Sequence, residues 1–196
     1  MLIALKSAIL GIVQGLTEFI PVSSSGHLIL VSKLFGWHDA WMPGQTTGST
    51  INTSALAFTV ALHVGTLVAL LVFFYREWMP LIKGFFAGFA SRPSSWDDHQ
   101  RLAWTLVLAT IPAGVIGAAW GDAIEGHLST PFWIAVFIIL FAFVMYAAQI
   151  VGRKTRRIEH LGIVDGVLLG TAQVLALAPG TSRSGVTISA GLFNNL

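Results

Sequence analysis

The chain states one pattern twice. Residues 10–35 contain Leu10-Gly11, Gln14, Leu16, Pro21, Ser24-Ser25-Gly26 and Leu34-Phe35, and residues 169–193 contain Leu169-Gly170, Gln173, Leu175, Pro179, Ser182, Ser184-Gly185 and Leu192-Phe193. Gly11 to Gly170 and Gly26 to Gly185 are both 159 residues apart, while Pro21 to Pro179 and Leu34 to Leu192 are both 158. In each copy an apolar stretch runs into a Pro and a Ser-rich Gly turn before a second apolar stretch, which reads as a helix broken at polar, backbone-exposing residues. Two broken helices in corresponding positions of an apolar chain point to a site built at the repeat interface.

With 55% hydrophobic residues, 10% charged residues and a mean hydropathy of +0.76, the 196-residue chain is expected to be an integral membrane protein rather than a soluble domain. Residues 54–75, 102–120 and 132–151 carry no formal charge, and each is long enough to cross a hydrocarbon core, which takes about 20 helical residues. Near the N-terminus Gln14 and Glu18 interrupt the apolar run, so a cleaved signal peptide is not expected. The absence of cysteine excludes disulfides, thiolate zinc sites and Cys nucleophiles. A net charge of +2 is too small to argue for nucleic acid.

The basic residues are explained better by topology. Residues 76–101 hold Arg76, Lys83, Arg92 and Arg101, and residues 153–157 hold Arg153, Lys154, Arg156 and Arg157. Residues 36–53 and 121–131 contain no Lys or Arg. The positive-inside rule therefore puts the first pair of loops in the cytoplasm and the second pair outside. Three intervening spans make the two broken helices enter from opposite faces, as inverted copies. Arms 8–19 and 28–36, and arms 164–178 and 186–196, are each short for a crossing and are expected to dip in and return. Such backbone survives at membrane depth only where protein or a water-filled cavity surrounds it. The expectation is one all-α integral membrane domain: an inverted repeat of two re-entrant helix hairpins (1–36 and 162–196) flanking three transmembrane helices (within 54–151). Trp37, Trp41, Trp78, Trp96, Trp120 and Trp133 fall near the predicted interfaces and read as belt anchors.

The first turn runs from Gln14 to His27. Gln14 and Glu18 are four residues apart and share a helix face. A carboxylate in an apolar hairpin usually faces a functional cavity, the alternative being a shallow hairpin that lets it reach the interface. Ser23, Ser24 and Ser25 before Gly26 suit capping of the following helix, and the same geometry leaves backbone N–H groups free for an anion. The second turn holds Thr181, Ser182, Arg183, Ser184 and Thr187, and Arg183 is the one formal charge after Asp165. A guanidinium among hydroxyls, Gly turns and a helix N-terminus has the composition of a phosphate cradle. An ion pair with Glu18 would account for Arg183 but not for the hydroxyls. The phosphate-binding candidates beside it are Ser23, Ser25, Gly26, Thr181, Ser184 and Thr187.

The first turn, GIVQGLTEFIPVSSSGH, and the second, PGTSRSGVTIS, closely resemble the signature regions of the bacterial undecaprenyl-diphosphate phosphatases of the bacitracin-resistance type. FTVALHVGTLVAL (58–70) and ATIPAGVIG (109–117) resemble that family's intervening spans. The resemblance implies hydrolysis of undecaprenyl diphosphate to the monophosphate carrier of peptidoglycan assembly, at an outward-facing site in the bacterial inner (plasma) membrane. Gln14 and Glu18 match the family's paired first-turn residues, Ser24 and His27 its turn Ser and His, and Ser182 and Arg183 its phosphate-binding pair. It also implies a divalent cation, commonly Mg2+ or Ca2+, with Gln14 and Glu18 as its candidate ligands.

The chemistry suits these residues. Arg183 and turn N–H groups suit the charge on a transferred phosphoryl, and His27 suits a general base or acid acting on Ser24 or on water. Glu18 is left between holding the metal and orienting His27. His63, mid-span, reads as a helix-packing contact, and His38, His99, His127 and His160 read as solvated. The family pattern includes three further spans after the second hairpin; with these C-terminal spans absent, the expectation is a fragment or a shortened form. The expected partners are a polyprenyl diphosphate and membrane lipids, with a homodimer left open. The alternatives are a polyprenyl-phosphate transporter or flippase, for which a cradle also serves, and an inactive form of the phosphatase.

Overall fold

The computed structural model describes residues 2–37, 46–47, 50–51, 53–156 and 161–196, with residues 46–47, 50–51 and 131 described in their backbone alone. Trp41, His38 and His160 lie outside the described residues. The chain divides into two compact units, residues 1–73 and 74–196. Each unit carries one copy of the repeat.

In the first unit, α1 (Leu2–Phe19) and α2 (Ser24–Leu34) form a helical hairpin, and α3 (Thr53–Phe73) packs on α1. A two-residue antiparallel ladder pairs β1 (Thr46–Thr47) with β2 (Thr50–Ile51). Leu10 and Leu28 are fully buried between the arms, ringed by Val13, Val31, Trp37, Phe58 and Leu62. Gly11 faces α3 with room to spare, since a Cβ there would make only an ordinary contact with Leu62 at 3.9 Å. Large apolar side chains such as Ile12, Leu16, Val72 and Phe73 remain exposed, as they do where lipid replaces water.

The second unit holds α4 (Tyr75–Gly88), a 3-10 turn (Pro93–Ser95), α5 (Asp98–Leu128), α6 (Pro131–Val151), α7 (Ile163–Gln173) running on into a 3-10 turn (Val174–Leu177), and α8 (Arg183–Phe193). α7 lies against α5 through small residues. A Cβ on Gly166 would come within 2.6 Å of Thr105, and one on Gly170 would overlap Ala109. Both pairs are spaced by four residues, so a Gly stripe on one helix meets a small-residue stripe on the other, the close packing that joins helices in lipid. Gly180 is fixed twice over: its φ is +92°, and a Cβ would lie 2.6 Å from the Ile134 carbonyl oxygen of α6.

Among the described residues four helices are long and apolar enough to cross a membrane: α1, α3, α5 and residues Phe132–Val151 of α6. α3 and α6 follow the predicted spans closely. α1 departs from the expectation of a short arm over 8–19, because nothing in residues 2–7 breaks a helix and its 18 residues reach spanning length. α5, at 31 residues, overruns the predicted span and converts most of the expected outward loop 121–131 into helix. Interior Gly121 and Gly126 cost a helix only about 1 kcal/mol each, whereas Pro131 sets a firm start for α6 at N1, with the Thr130 side chain accepting from Trp133 N. The loop 76–101 contains α4, an amphipathic helix the charge pattern concealed.

Candidate functional site

The first turn joins Glu18 at the end of α1 to Ser24 at the start of α2. Glu18 Oε2 accepts from the Ser24 hydroxyl at 2.6 Å and from Gln14 Nε2 at 2.9 Å. Gln14 is fully buried, and its Oε1 has no hydrogen-bond partner among the described residues. Ser23 adopts a φ of 65°, an uncommon conformation for a residue with a Cβ, of the kind found at functional turns. It does not cap α2 with its side chain, contrary to the capping expectation, because its Oγ sits 3.4 Å from Ser25 Oγ instead. By helix geometry the first N–H groups of α2, from Ser24 to Gly26, lack intrahelical acceptors and are available to an anion.

His27 Nδ1 lies 2.9 Å from the Ser23 carbonyl oxygen, which only accepts, so Nδ1–H donates and Nε2 is left with the exchangeable lone pair. His63 departs from its reading as a packing residue. Its Nε2 stands 3.8 Å from Glu18 Oε2, so α3 contributes to the site. The signal in the sequence was the polar stripe Thr59, His63 and Thr66 on one face of an otherwise apolar helix. His99 and His127 lie in the first and last turns of α5, and His127 Nδ1 is bonded to the Ala123 carbonyl.

The second turn repeats this geometry with different chemistry. α2 and α8 are each 11 residues long, and Ser24 and Arg183 are their first residues, placing Arg183 in the repeat position of Ser24. Here the cap is formed, as Gly185 N donates to Ser182 Oγ at 3.2 Å, with Ser184 Oγ 3.1 Å from the same hydroxyl. Arg183 is exposed, and within its own unit its guanidinium has no hydrogen-bond or ion-pair partner among the described residues. Thr181 is buried with its hydroxyl unpartnered among the described residues, while the Thr187 hydroxyl donates to the Arg183 carbonyl at 3.0 Å.

The open ends of the hairpins are also tied. Lys6 of α1 lies 5.7 Å from the ring centroid of Trp37. In the repeat position of Lys6 stands Asp165, which Arg156 grips with both guanidinium nitrogens at 2.7 and 2.8 Å, while Asn194 Nδ2 donates at 2.6 Å and Gly162 N at 2.9 Å. The Arg156 hydrogen bonds hold the Asp165 carboxyl well below the usual carboxylate range, against the opposing effect of burial. Arg156 is held above the usual arginine value by the same bonds. Thr155 and Arg156 N–H groups both donate to the Asn195 carbonyl, so this basic segment straps the ends of α7 and α8 together. Arg156 therefore holds the fold together as well as adding to the charge of its loop.

Among the described residues no three His, Asp or Glu side chains gather as a metal set. The oxygen donors the first turn offers a divalent cation are the Glu18 carboxylate and the buried Gln14 Oε1, which is unpartnered among the described residues while Gln14 Nε2 donates to Glu18.

The sequence profile of the family described as bacitracin resistance protein BacA matches residues 7–196. An undecaprenyl-diphosphatase of Rubrobacter xylanophilus is 42% identical over 100% of the chain and 68% of its own length. Undecaprenyl-diphosphatase 1 of Pseudoalteromonas translucida is 39% identical, covering 94% of the chain and 63% of its own length. A Mycobacterium sp. (strain KMS) undecaprenyl-diphosphatase is 43% identical, covering 98% and 64%. The chain thus spans about two thirds of the length of these curated relatives.

Proposed function

The chain belongs to the bacitracin resistance protein BacA family, and from that premise we propose that it hydrolyses undecaprenyl diphosphate to undecaprenyl phosphate and inorganic phosphate. The observation that carries this reading is the Ser24 hydroxyl held on the Glu18 carboxylate at 2.6 Å, at a helix N-terminus. Serine is a weak nucleophile until a base takes its proton, and the base is already in hydrogen-bond contact. This favours chemistry over transport, which needs no proton acceptor on a hydroxyl.

In the proposed sequence Ser24 Oγ attacks the terminal phosphorus as its proton passes to Glu18. The bridging P–O bond breaks, and undecaprenyl phosphate leaves. Water then attacks the phosphoserine, giving up a proton to His27 Nε2, and Ser24 recovers its own proton from Glu18 as inorganic phosphate departs. The N–H groups opening α2 and the hydroxyls of Ser23 and Ser25 serve the equatorial phosphate oxygens, whose charge must be neutralised in such a transfer.

The second turn is read as a phosphate-binding element in its own right. Support comes from its repeat relationship to the first, the planar donor fork of Arg183 and the unsatisfied Thr181 hydroxyl. Gln14 and Glu18 would hold a Mg2+ or Ca2+ ion, which would supply further charge neutralisation on the phosphates. The basic loops support a reading in which the protein sits in the bacterial plasma membrane with the first turn open to the outer side, where diphosphate is released during wall synthesis.

The experiment is release of inorganic phosphate from undecaprenyl diphosphate by purified protein, with and without a chelator. Release that depends on protein supports the reading. Tight binding of the lipid with no release would favour the transporter.

A further inference from the structure

His63 stands where the proposed chemistry had not called for it. Its Nδ1 is 2.8 Å from the Thr59 carbonyl oxygen, which only accepts, so Nδ1 carries the proton. In the neutral ring Nε2 then presents a lone pair toward Glu18 Oε2, 3.8 Å away. A lone pair facing a carboxylate calls for a proton, a water or a cation between them, and of these a cation also engages the neighbouring Gln14 oxygen. Beside them lies the Gln14 amide, whose nitrogen touches Glu18 and whose buried oxygen has no partner among the described residues.

We propose that His63 supplies an imidazole nitrogen to the cation held by Gln14 and Glu18, so that the site takes a first-row transition ion such as Mn2+ in preference to Ca2+. The inference rests on the reading that Gln14 and Glu18 hold the cation. Two ligand atoms each about 2.1 Å from one ion stand roughly 3 to 4.2 Å apart, a range that includes the observed separation. A metal-bound imidazole almost always donates its other N–H to a carboxylate, a carbonyl or water, the role the Thr59 carbonyl fills here. Oxygen donors alone suit Mg2+ and Ca2+, whereas an imidazole among them shifts preference toward the transition ions. The side chains of His63 and Glu18 are 44% and 30% exposed, so an ion can reach the pair.

The test uses Mn2+ as the probe on the purified protein, read by pulsed electron paramagnetic resonance for nitrogen hyperfine coupling. The wild type should show imidazole coupling to bound Mn2+, and His27→Ala should retain it. His63→Gln should lose the coupling and bind Mn2+ about tenfold or more weakly. Coupling that survives in His63→Gln, Mn2+ bound without coupling in the wild type, or no Mn2+ binding by the wild type would each overturn the proposal. Should His63→Gln fail to fold, the wild-type and His27→Ala spectra decide together, and coupling lost in His27→Ala overturns the proposal. Phosphate release by the same preparation reports separately on the phosphatase reading, which stands if release occurs without imidazole coupling and falls if coupling is present without release.

Discussion

Ser24 and Glu18 face each other across the first turn, six residues apart, with the hydroxyl donating to the carboxylate at 2.6 Å. Glu18 ends the first arm and Ser24 begins the second, so one hydrogen bond both closes the turn and sets the Ser24 hydroxyl on a proton acceptor. Gln14 donates to the same carboxylate oxygen from one helical turn below, fixing its orientation.

Glu18→Gln is expected to reduce phosphate release by roughly 10²–10⁴-fold, the usual contribution of a positioned general base. The amide keeps the shape of the side chain but cannot take the Ser24 proton. Steady-state kinetics on variant protein that accumulates normally in the membrane checks this, and a loss below tenfold would remove Glu18 as the base.

Arg183→Lys is expected to lose most turnover although the charge is kept. A guanidinium presents a planar fork that engages phosphate oxygens bidentately, whereas an ammonium is a point charge. Arg183 has no partner within its own unit among the described residues, so thermal stability of the variant should stay near that of the wild type. A kinetic comparison with a matched melting curve separates the two effects.

How much could be read in advance depended on whether a feature was local. The breaks between α1 and α2 and between the second 3-10 turn and α8 followed from Pro21, Pro179 and the Ser-Gly turns, because helix breakers act through their own backbone. α3 and α6 followed from uninterrupted apolar runs. α4 was missed because its apolar face is interleaved with Arg76, Glu77 and Lys83, which made the segment read as a charged loop. The meeting of His63 with Glu18 depends on α3 packing against α1, and the Arg156 grip on Asp165 depends on a loop turning back on itself. Neither is expressed in local spacing.

The α5 and α7 contact supplies a stability prediction. Gly170→Val forces a branched side chain into Ala109 and should destabilise the protein by about 1–3 kcal/mol. Gly15 of α1 has open space at its Cβ position, so Gly15→Ala should be neutral or stabilising by up to about 1 kcal/mol. Unfolding in detergent followed by tryptophan fluorescence measures both.

The Asp165 network predicts a pH dependence. Its folded-state pKa is depressed, so the stabilisation is fully present above the unfolded carboxylate value of about 3.9. It is lost as pH falls below that value toward the folded pKa. Asp165→Asn should therefore be less stable than the wild type at neutral pH, with the difference narrowing below about pH 4. Melting temperatures of both proteins across that window test the sign, and a difference that widens in acid would contradict it.

The most direct measurement is the rate of inorganic phosphate release from undecaprenyl diphosphate by Ser24→Ala, relative to the wild type under identical conditions. The account predicts release by the wild type and a loss of at least roughly 10³-fold in the variant, since the attacking oxygen is gone while the fold, Glu18 and Arg183 remain. Release by Ser24→Ala at near wild-type rates would contradict it and pass the attacking role to water.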